Sequence, residues 1–266
     1  MKTLSTLLLT ALLSLTLTAQ TTSDAKATKL LAGAEKALGG WNPLYAKGDV
    51  QYTYDYSYPA TGKTDLSTER YIFEGEHSWA RYTKHDVNVA PDKEGGTVTQ
   101  AFVDGKPYAM VDGKATTDPK LVGTAGFLRQ ANYFWFTMFY KFDDPGVIAK
   151  YDGTETVNGT KYDVVNVTYD AAVTGKESND AYILYVNPKT KLVDRFFFSL
   201  PAMGVNAPVI LMELDYTTVD GIQVVTKRRV YQPGADGKLS ETPNLVQTLT
   251  DMTFGNGFTA ADFMQP

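Results

Sequence analysis

The sequence predicts a mainly β protein, an antiparallel meander of about eleven strands preceded by an N-terminal helix and interrupted once by a mid-chain helix. Three observations carry this reading. Short segments rich in aromatic and β-branched residues recur along most of the chain. Asp-Gly or Asn-Gly pairs stand between many of them, at Asp104-Gly105, Asp112-Gly113, Asn158-Gly159, Asp220-Gly221 and Asp236-Gly237. Such pairs supply the positive φ that tight hairpins need. Two longer segments show helical spacing instead.

In chain order, MKTLSTLLLTALLSLTLTAQ gives a basic start at Lys2 and an apolar run from Leu4 to Leu17. The run has the length of a signal-peptide hydrophobic region and is too short to span a bilayer. Cleavage is expected after Ala19, and no stop-transfer pattern follows in QTTSDAKATK. Residues 1–19 are therefore read as a signal peptide and 20–266 as a single domain. Ser23 and Asp24 can cap a helix, AKATKLLAGAEKAL, whose Leu30, Leu31, Ala34 and Leu38 form one apolar stripe. Gly39 and Gly40 end it.

The period then changes. In VQYTYDYSY, Val50, Tyr52, Tyr54, Tyr56 and Tyr58 share one face of a strand. ERYIFEG, SWARYT, VTQAFV, PYAMV, YDVVNVTYD, AYILYVN, LVDRFFFSL, VILMELDY, IQVVTKRRVY and LVQTLTDMTF also read as strands. Their spacing is too irregular for a propeller. Asp118 and Pro119 open the mid-chain helix, KLVGTAGFLRQANYFWFTMFYKF, and Asp143 to Gly146 terminate it. In its last part, Tyr133 to Phe142, seven of ten residues are aromatic. A helix apolar nearly all round must be covered on several sides. At the end of the chain, GFTAADFMQP reads as a short helical turn docking Phe258 and Phe263 on the sheet.

The chain has no cysteine. That excludes disulfides, thiol nucleophiles, cysteine metal sites and a lipid-modified cysteine. About 245 residues after the expected cleavage are enough for a core that holds itself. With 25 Lys+Arg against 30 Asp+Glu and only the short KRR at Lys227 to Arg229, nucleic acid is not an expected partner. No second apolar run is long enough to cross a membrane. Catalytic patterns are scarce. His77, in EGEHSW, reads as a solvated hairpin turn, and His85, in TKHDVNVAPDKEGG, as an exposed loop residue. Neither belongs to a metal triad, and no nucleophile elbow, H-E-x-x-H or Walker loop occurs. GNGFTA, Gly255 to Ala260, matches a loose dinucleotide pattern but lacks the βαβ unit that pattern requires. No cofactor is implied.

Several strands are apolar on both faces, notably FFFSL at Phe196 to Leu200 and VILMEL at Val209 to Leu214. Two apolar faces need two covers. One can be the helices, and the other closure of the sheet around its own interior, or a ligand. A filled barrel core is one solution. The other is an apolar cavity partly plugged by the helix that carries Trp135. Tyrosines suit such a wall, each ring being apolar with one polar tip. The apolar, Gly- and Pro-containing stretch LPAMGVNAP, Leu200 to Pro208, reads as a mouth loop. The candidate ligand-binding residues are Tyr52, Tyr54, Tyr56, Phe134, Trp135, Met138, Phe139 and Met203.

YILYVNPKTKLVDRFFF, Tyr182 to Phe198, resembles the strand, D/N-P-x-T-x-L turn, strand signature of the LolA/LolB-like periplasmic lipoprotein-carrier superfamily. KALGGWNPLYAKGDVQYTYDY looks like the start of uncharacterised secreted relatives in Bacteroidota. The resemblance implies a curved half-barrel sheet wrapped over helices that act as a lid, with lipoprotein acyl chains or other lipids held between. No arginine matches the position of that superfamily's buried arginine, Arg129 falling on the proposed helix and Arg81 on a strand. That departure bears on lipoprotein transfer more than on lipid binding. The expectation is a periplasmic, non-catalytic carrier, not lipid-anchored, whose partners are lipid or lipoprotein acyl chains. The alternative is a structural envelope protein with a filled core whose partner is an envelope protein complex. A hydrolase would need an acid/base pair inside the cavity.

Overall fold

The computed structural model describes residues 22–264. The expected signal peptide and its cleavage site lie outside them.

Helix α1 (Ala25–Leu38) forms where the stripe predicted it, burying Ala27, Leu31, Ala34 and Leu38. Asp24 is its N-cap, and its carboxylate accepts from the Ala27 N–H at 2.7 Å. Gly39, at φ 119°, ends the helix in a conformation costly for any residue with a Cβ. A short helix α2 (Trp41–Tyr45) follows. Then come strands β1 (Asp49–Tyr58), β2 (Lys63–Ile72), β3 (His77–His85), β4 (Val98–Val103), β5 (Lys106–Val111) and β6 (Lys114–Thr116). Helix α3 (Pro119–Thr137) continues into a 3-10 turn, Met138–Tyr140. Strands β7 (Val147–Val157) and β8 (Thr160–Tyr169), a single helical turn α4 (Ala171–Thr174), and β9 (Tyr182–Val186) follow. Strands β10 (Val193–Leu200), β11 (Val205–Val219), β12 (Ile222–Tyr231) and β13 (Leu245–Phe254) complete the sheet.

All thirteen strands belong to one antiparallel sheet in the order β6-β5-β4-β3-β2-β1-β13-β12-β11-β10-β9-β8-β7. Two meanders thus meet where β1 pairs with β13. The two edges, β6 and β7, are consecutive in sequence, so the chain must cross the whole sheet between them. Helix α3 makes that crossing, which explains why it is apolar on so many sides. The side-chain oxygen of Asp118 accepts from the Lys120 N–H at 2.8 Å and starts the helix as expected. Four of the five Asp-Gly and Asn-Gly pairs have both residues at positive φ, as at Asn158 (48°) and Gly159 (79°). At Asp236-Gly237 only the glycine does.

The sheet has two strands more than the meander predicts. Strand β6 is only three residues long. Strand β7 carries Gly153 and shifts register between Tyr151 and Thr154. Edge strands are half-solvated and need no regular apolar alternation, so neither shows in hydropathy. Strand β2 begins at Lys63, before the expected ERYIFEG, because its buried face is Asp65, Ser67, Glu69 and Tyr71, which reads as polar loop. His85 is a correction: the structure buries it at 4% exposure, with Nδ1 and Nε2 each 3.2 Å from a carbonyl oxygen, of Ala90 and Gly95. The loop Asp86–Thr97 folds back over it, an interaction hydropathy cannot reveal. Leu200 to Pro208 is a hairpin tip, not a free loop, since β11 already starts at Val205.

The double apolar faces of β8, β9 and β10 are explained on both sides. Phe196 and Phe198 enter the main core under α3. Phe197, Tyr185, Tyr162 and Val164 form a small convex cluster, with the Arg195 guanidinium 5.7 Å from the Tyr185 ring centre. Charged side chains, not a second layer, cover that face. The C-terminal turn docks as expected, with Phe263 fully buried against Trp79. GNGFTA wraps the buried Asp49 carboxylate, which accepts the N–H groups of Asn256, Gly257 and Phe258 at 2.8, 2.7 and 2.9 Å. It is a structural clamp.

Asp24 has a second task. Its other carboxylate oxygen accepts the Tyr151 N–H at 2.7 Å, satisfying an edge amide of β7. The two backbone N–H groups, Ala27 first, hold its carboxyl below the ordinary value. A carboxyl depressed on folding contributes stability above its unfolded pKa of about 3.9 and loses it as pH falls through the folded value. Asp24→Ala is expected to lower the melting temperature at neutral pH and to converge on wild type in acid. A difference in melting temperature that persists unchanged in acid would refute the carboxylate's role.

Candidate functional site

The concave face holds a cavity of about 1630 Å³ between α3 and the sheet, walled mainly by β1 and by β13 through β9, with Phe102 of β4 and Tyr169 of β8 also in its lining. The strand register fixes its walls. Along β1, Tyr56 and Tyr58 line it, along β13 Leu245 and Gln247, along β12 Val230 with Gln232 just past its end, along β11 Ile210 and Met212, along β10 Phe198 and Leu200. Phe127, Ala131, Phe134 and Trp135 of α3 form the opposite wall. The tip residues Ala202 and Met203 and the segment Thr174–Asp180 after α4 stand at the mouth. Two large side chains here are solvent-exposed, Phe127 at 50% and Met203 at 71%.

One layer deeper on each strand lie Tyr54, Leu249, Arg228, Leu214 and Phe196, all buried. The register pairs Tyr54 with Leu249 and Leu214 with Arg228, and ties the layer to the wall through Arg228↔Gln247 and Phe196↔Met212. This layer lies directly behind the lining. Aromatic packing ties it to the wall: the Phe196 ring stacks on Trp135 at 6.0 Å and meets Phe139 and Tyr182 edge-on at 6.1 and 6.2 Å.

The eight candidate residues divide accordingly. Tyr56, Phe134, Trp135 and Met203 line the cavity. Tyr52, Tyr54, Met138 and Phe139 lie in the packed core around it. Tyr52 stacks on Phe136 at 5.8 Å, and Met138 is 1% exposed. The structure brings all but Met203 into one aromatic cluster, but only the first four face open space.

Sequence reasoning missed the polar groups that hold the helix in the sheet. Arg129 of α3 is fully buried and forms a two-pronged ion pair with Glu69 of β2, Nη2 donating to Oε1 at 3.1 Å and Nη1 to Oε2. It also donates to the Tyr82 hydroxyl. Ser67 Oγ and Tyr71 Oη donate to the same carboxylate at 3.0 and 3.1 Å, and Tyr52 and Tyr71 share a hydroxyl hydrogen bond of 2.7 Å. Burial disfavours the Arg129 charge, yet Glu69 and the neighbouring hydroxyls outweigh it and hold the guanidinium protonated. Burial keeps the hydroxyls of Tyr52 and Tyr71 well above their ordinary value, and the Glu69 charge adds to that. All are donors at any physiological pH. The pair pins α3 over β2 and β3, leaving the other flank of α3 to face the cavity.

Neither histidine lines the cavity. Of its carboxylates, Glu76 and Asp144 are tied to Lys141, and burial raises the carboxyl of Asp180 with Lys176 opposing. Among the described residues no group of three or more His, Cys, Asp or Glu could hold a metal, and no helix is long and apolar enough to cross a membrane.

Residues 104–205, which contain α3 and end at the hairpin tip at the cavity mouth, match the model of a family of unknown function, DUF6503. No curated protein matches the chain. Among solved structures, a DUF1329 family protein from Desulfovibrio piger aligns over 89% of this chain and 96% of its own, at 13% identity and TM-score 0.52. A putative outer membrane lipoprotein-sorting protein domain from Vibrio parahaemolyticus aligns over 89% and 97%, at 12% identity and TM-score 0.49. The lipoprotein LppX of Mycobacterium tuberculosis aligns over 90% and 100%, at 10% identity and TM-score 0.30. The likeness to the DUF1329 protein is a likeness of fold, and that fold is the curved antiparallel sheet over helices.

Proposed function

We propose that this protein is a periplasmic carrier that holds the alkyl part of a lipid, or of a lipidated protein, between α3 and the concave sheet. The observation that carries the proposal is the cavity itself: a mainly apolar, aromatic-walled space bordered by exposed Phe127 and Met203. Burying about ten methylenes at roughly 0.8 kcal/mol each supplies ample gross driving force. Ordering and association costs take back part of it. Tyr56, Phe134, Trp135 and Met203 are the proposed contacts, and Tyr52, Tyr54, Met138 and Phe139 support them from behind. The lining supplies no histidine, and two of its carboxylates are committed to Lys141, which fits holding a ligand better than transforming one.

Native mass spectrometry of the protein purified from a bacterial periplasm tests this directly. A stoichiometric adduct that extracts as acyl lipid is the expected result. A clean mass, together with no uptake of a fluorescent alkyl probe, would favour the filled-core, partner-binding alternative. Trp135→Asp puts a charge in the cavity wall and is expected to weaken probe binding more than about tenfold. Met138→Leu, behind the wall, should leave binding unchanged. Wild-type probe affinity in a folded Trp135→Asp protein would place the binding site elsewhere.

A further inference from the structure

Directly behind the cavity lining, beside Trp135, Gln247 and Val230, lies a buried charge with no described counter-charge. Arg228 is 4% exposed, and its described hydrogen bond is from Nη2 to the main-chain oxygen of Trp135, at 3.1 Å. No described carboxylate forms an ion pair with it, in contrast to Arg129, which is equally buried but paired with Glu69, and to Arg229, whose outward guanidinium grips Asp215. Its register neighbour on β13 is Gln247, 5% exposed, which lines the cavity and whose Oε1 has no partner. Its neighbour on β11 is Leu214. Two polar side chains without full partners, Gln247 in the lining and the cationic Arg228 immediately behind it, thus meet beside Trp135, away from the lining charges of Glu76, Lys141, Asp144, Lys176 and Asp180, which lie on other segments. A buried cation left uncompensated is costly. An amide can share its hydrogen bonds but cannot neutralise it.

We infer that the carried ligand is an amphiphile with a free carboxylate, a long-chain fatty acid, which enters carboxylate first and is held by Gln247 in the lining and Arg228 directly behind it, while its chain runs out between Trp135 and Met212 towards Met203 and Phe127. The inference rests on the carrier reading above and narrows it. A planar guanidinium matches a carboxylate with two parallel hydrogen bonds. A single buried cation balances one negative charge. The ester- or amide-linked acyl chains of a lipoprotein would enter methyl end first and leave Arg228 unpaired. The mouth fits the same orientation, because Met203 and Phe127 offer apolar surface to the emerging end of the chain.

The test compares hexadecanoic acid with methyl hexadecanoate, equal in chain and differing in charge, by calorimetric titration of the delipidated protein without its leader. The acid is expected to bind wild type at least about tenfold more tightly, since a site built for a polar group rejects the analogue that lacks it. Arg228→Met is expected to bring the acid to the affinity of the ester and to leave the ester unchanged. Equal affinities of acid and ester in wild type would overturn the carboxylate assignment while leaving the carrier reading intact, and this comparison stands even if the variant does not fold. Preference for the acid that survives in folded Arg228→Met would overturn the role of Arg228. Failure of both ligands to bind wild type would remove the carrier reading and this inference together.

Discussion

Glu69→Ala is expected to destabilise the protein by about 3–5 kcal/mol, as measured by chemical denaturation, because it leaves Arg129 as a buried charge with no partner. Both side chains are fully buried, so solvent does not screen the loss. The companion variant separates the cost of breaking the pair from the worth of having it. In Glu69→Leu with Arg129→Met the charges go together, and apolar side chains of similar size fill the space. A buried ion pair replaced in this way is often neutral or better. Here Ser67, Tyr71 and Tyr82 lose an acceptor or donor as well, so the double variant should recover most of the loss, not all of it. If the double variant is as unstable as the single, the hydroxyl network and not the charge pair holds α3 in place.

Phe196→Ala is expected to cost about 3–5 kcal/mol, the range for removing a buried ring from a core. Phe196 is 1% exposed and packs against Trp135, Phe139, Tyr182 and Phe198. Its position gives the variant a second effect. It stands directly behind the lining residues Trp135, Tyr182 and Phe198, so the space it vacates is expected to join the chamber and not to close into a sealed void. An apolar hollow stays dry and takes apolar ligands. The variant should therefore be less stable when empty yet bind an alkyl probe at least as well as wild type, and the probe should restore part of the lost melting temperature. A parallel loss of stability and of binding would mean that the layer behind the lining sets the shape of the site and not only its depth.

These two residues show what the sequence makes legible. Phe196 belongs to a strand too apolar for simple in-and-out alternation, and that excess points to a core covered on more than one side. The caps at Asp24 and Asp118, the Asp-Gly turns and the tyrosine face of β1 are likewise written in local pattern. Glu69 and Arg129 are not, because charged residues in strand and helix read as solvated faces until tertiary structure brings them together over sixty positions. The same holds for Arg228. KRR looks like a surface cluster, and only strand alternation, which sets Arg228 with Val230 and against Lys227 and Arg229, hints that the middle residue points inward. Of the candidate site, the apolar wall is therefore legible and the buried polar group behind it is not. Short edge strands escaped for a related reason: β6 and β7 are defined by hydrogen bonds to a neighbour more than by burial.

The seam between β1 and β13 has a consequence for how the molecule comes into being. These strands pair residues as far apart as Val50 and Phe254, almost the whole length of the described chain. Every other pairing joins strands adjacent in sequence, so each meander can assemble as its residues appear, but their union waits for the last strand. Until then β1 and β12 each present a bare ladder, the form most open to mispairing. Long-range pairings of this kind also slow folding. The chamber straddles that seam, with Tyr56 on one side and Gln247, Leu245 and Val230 on the other. Neither half encloses it alone. On the carrier reading proposed above, only a chain whose synthesis and folding are both finished could load cargo, and occupancy would itself certify completed assembly.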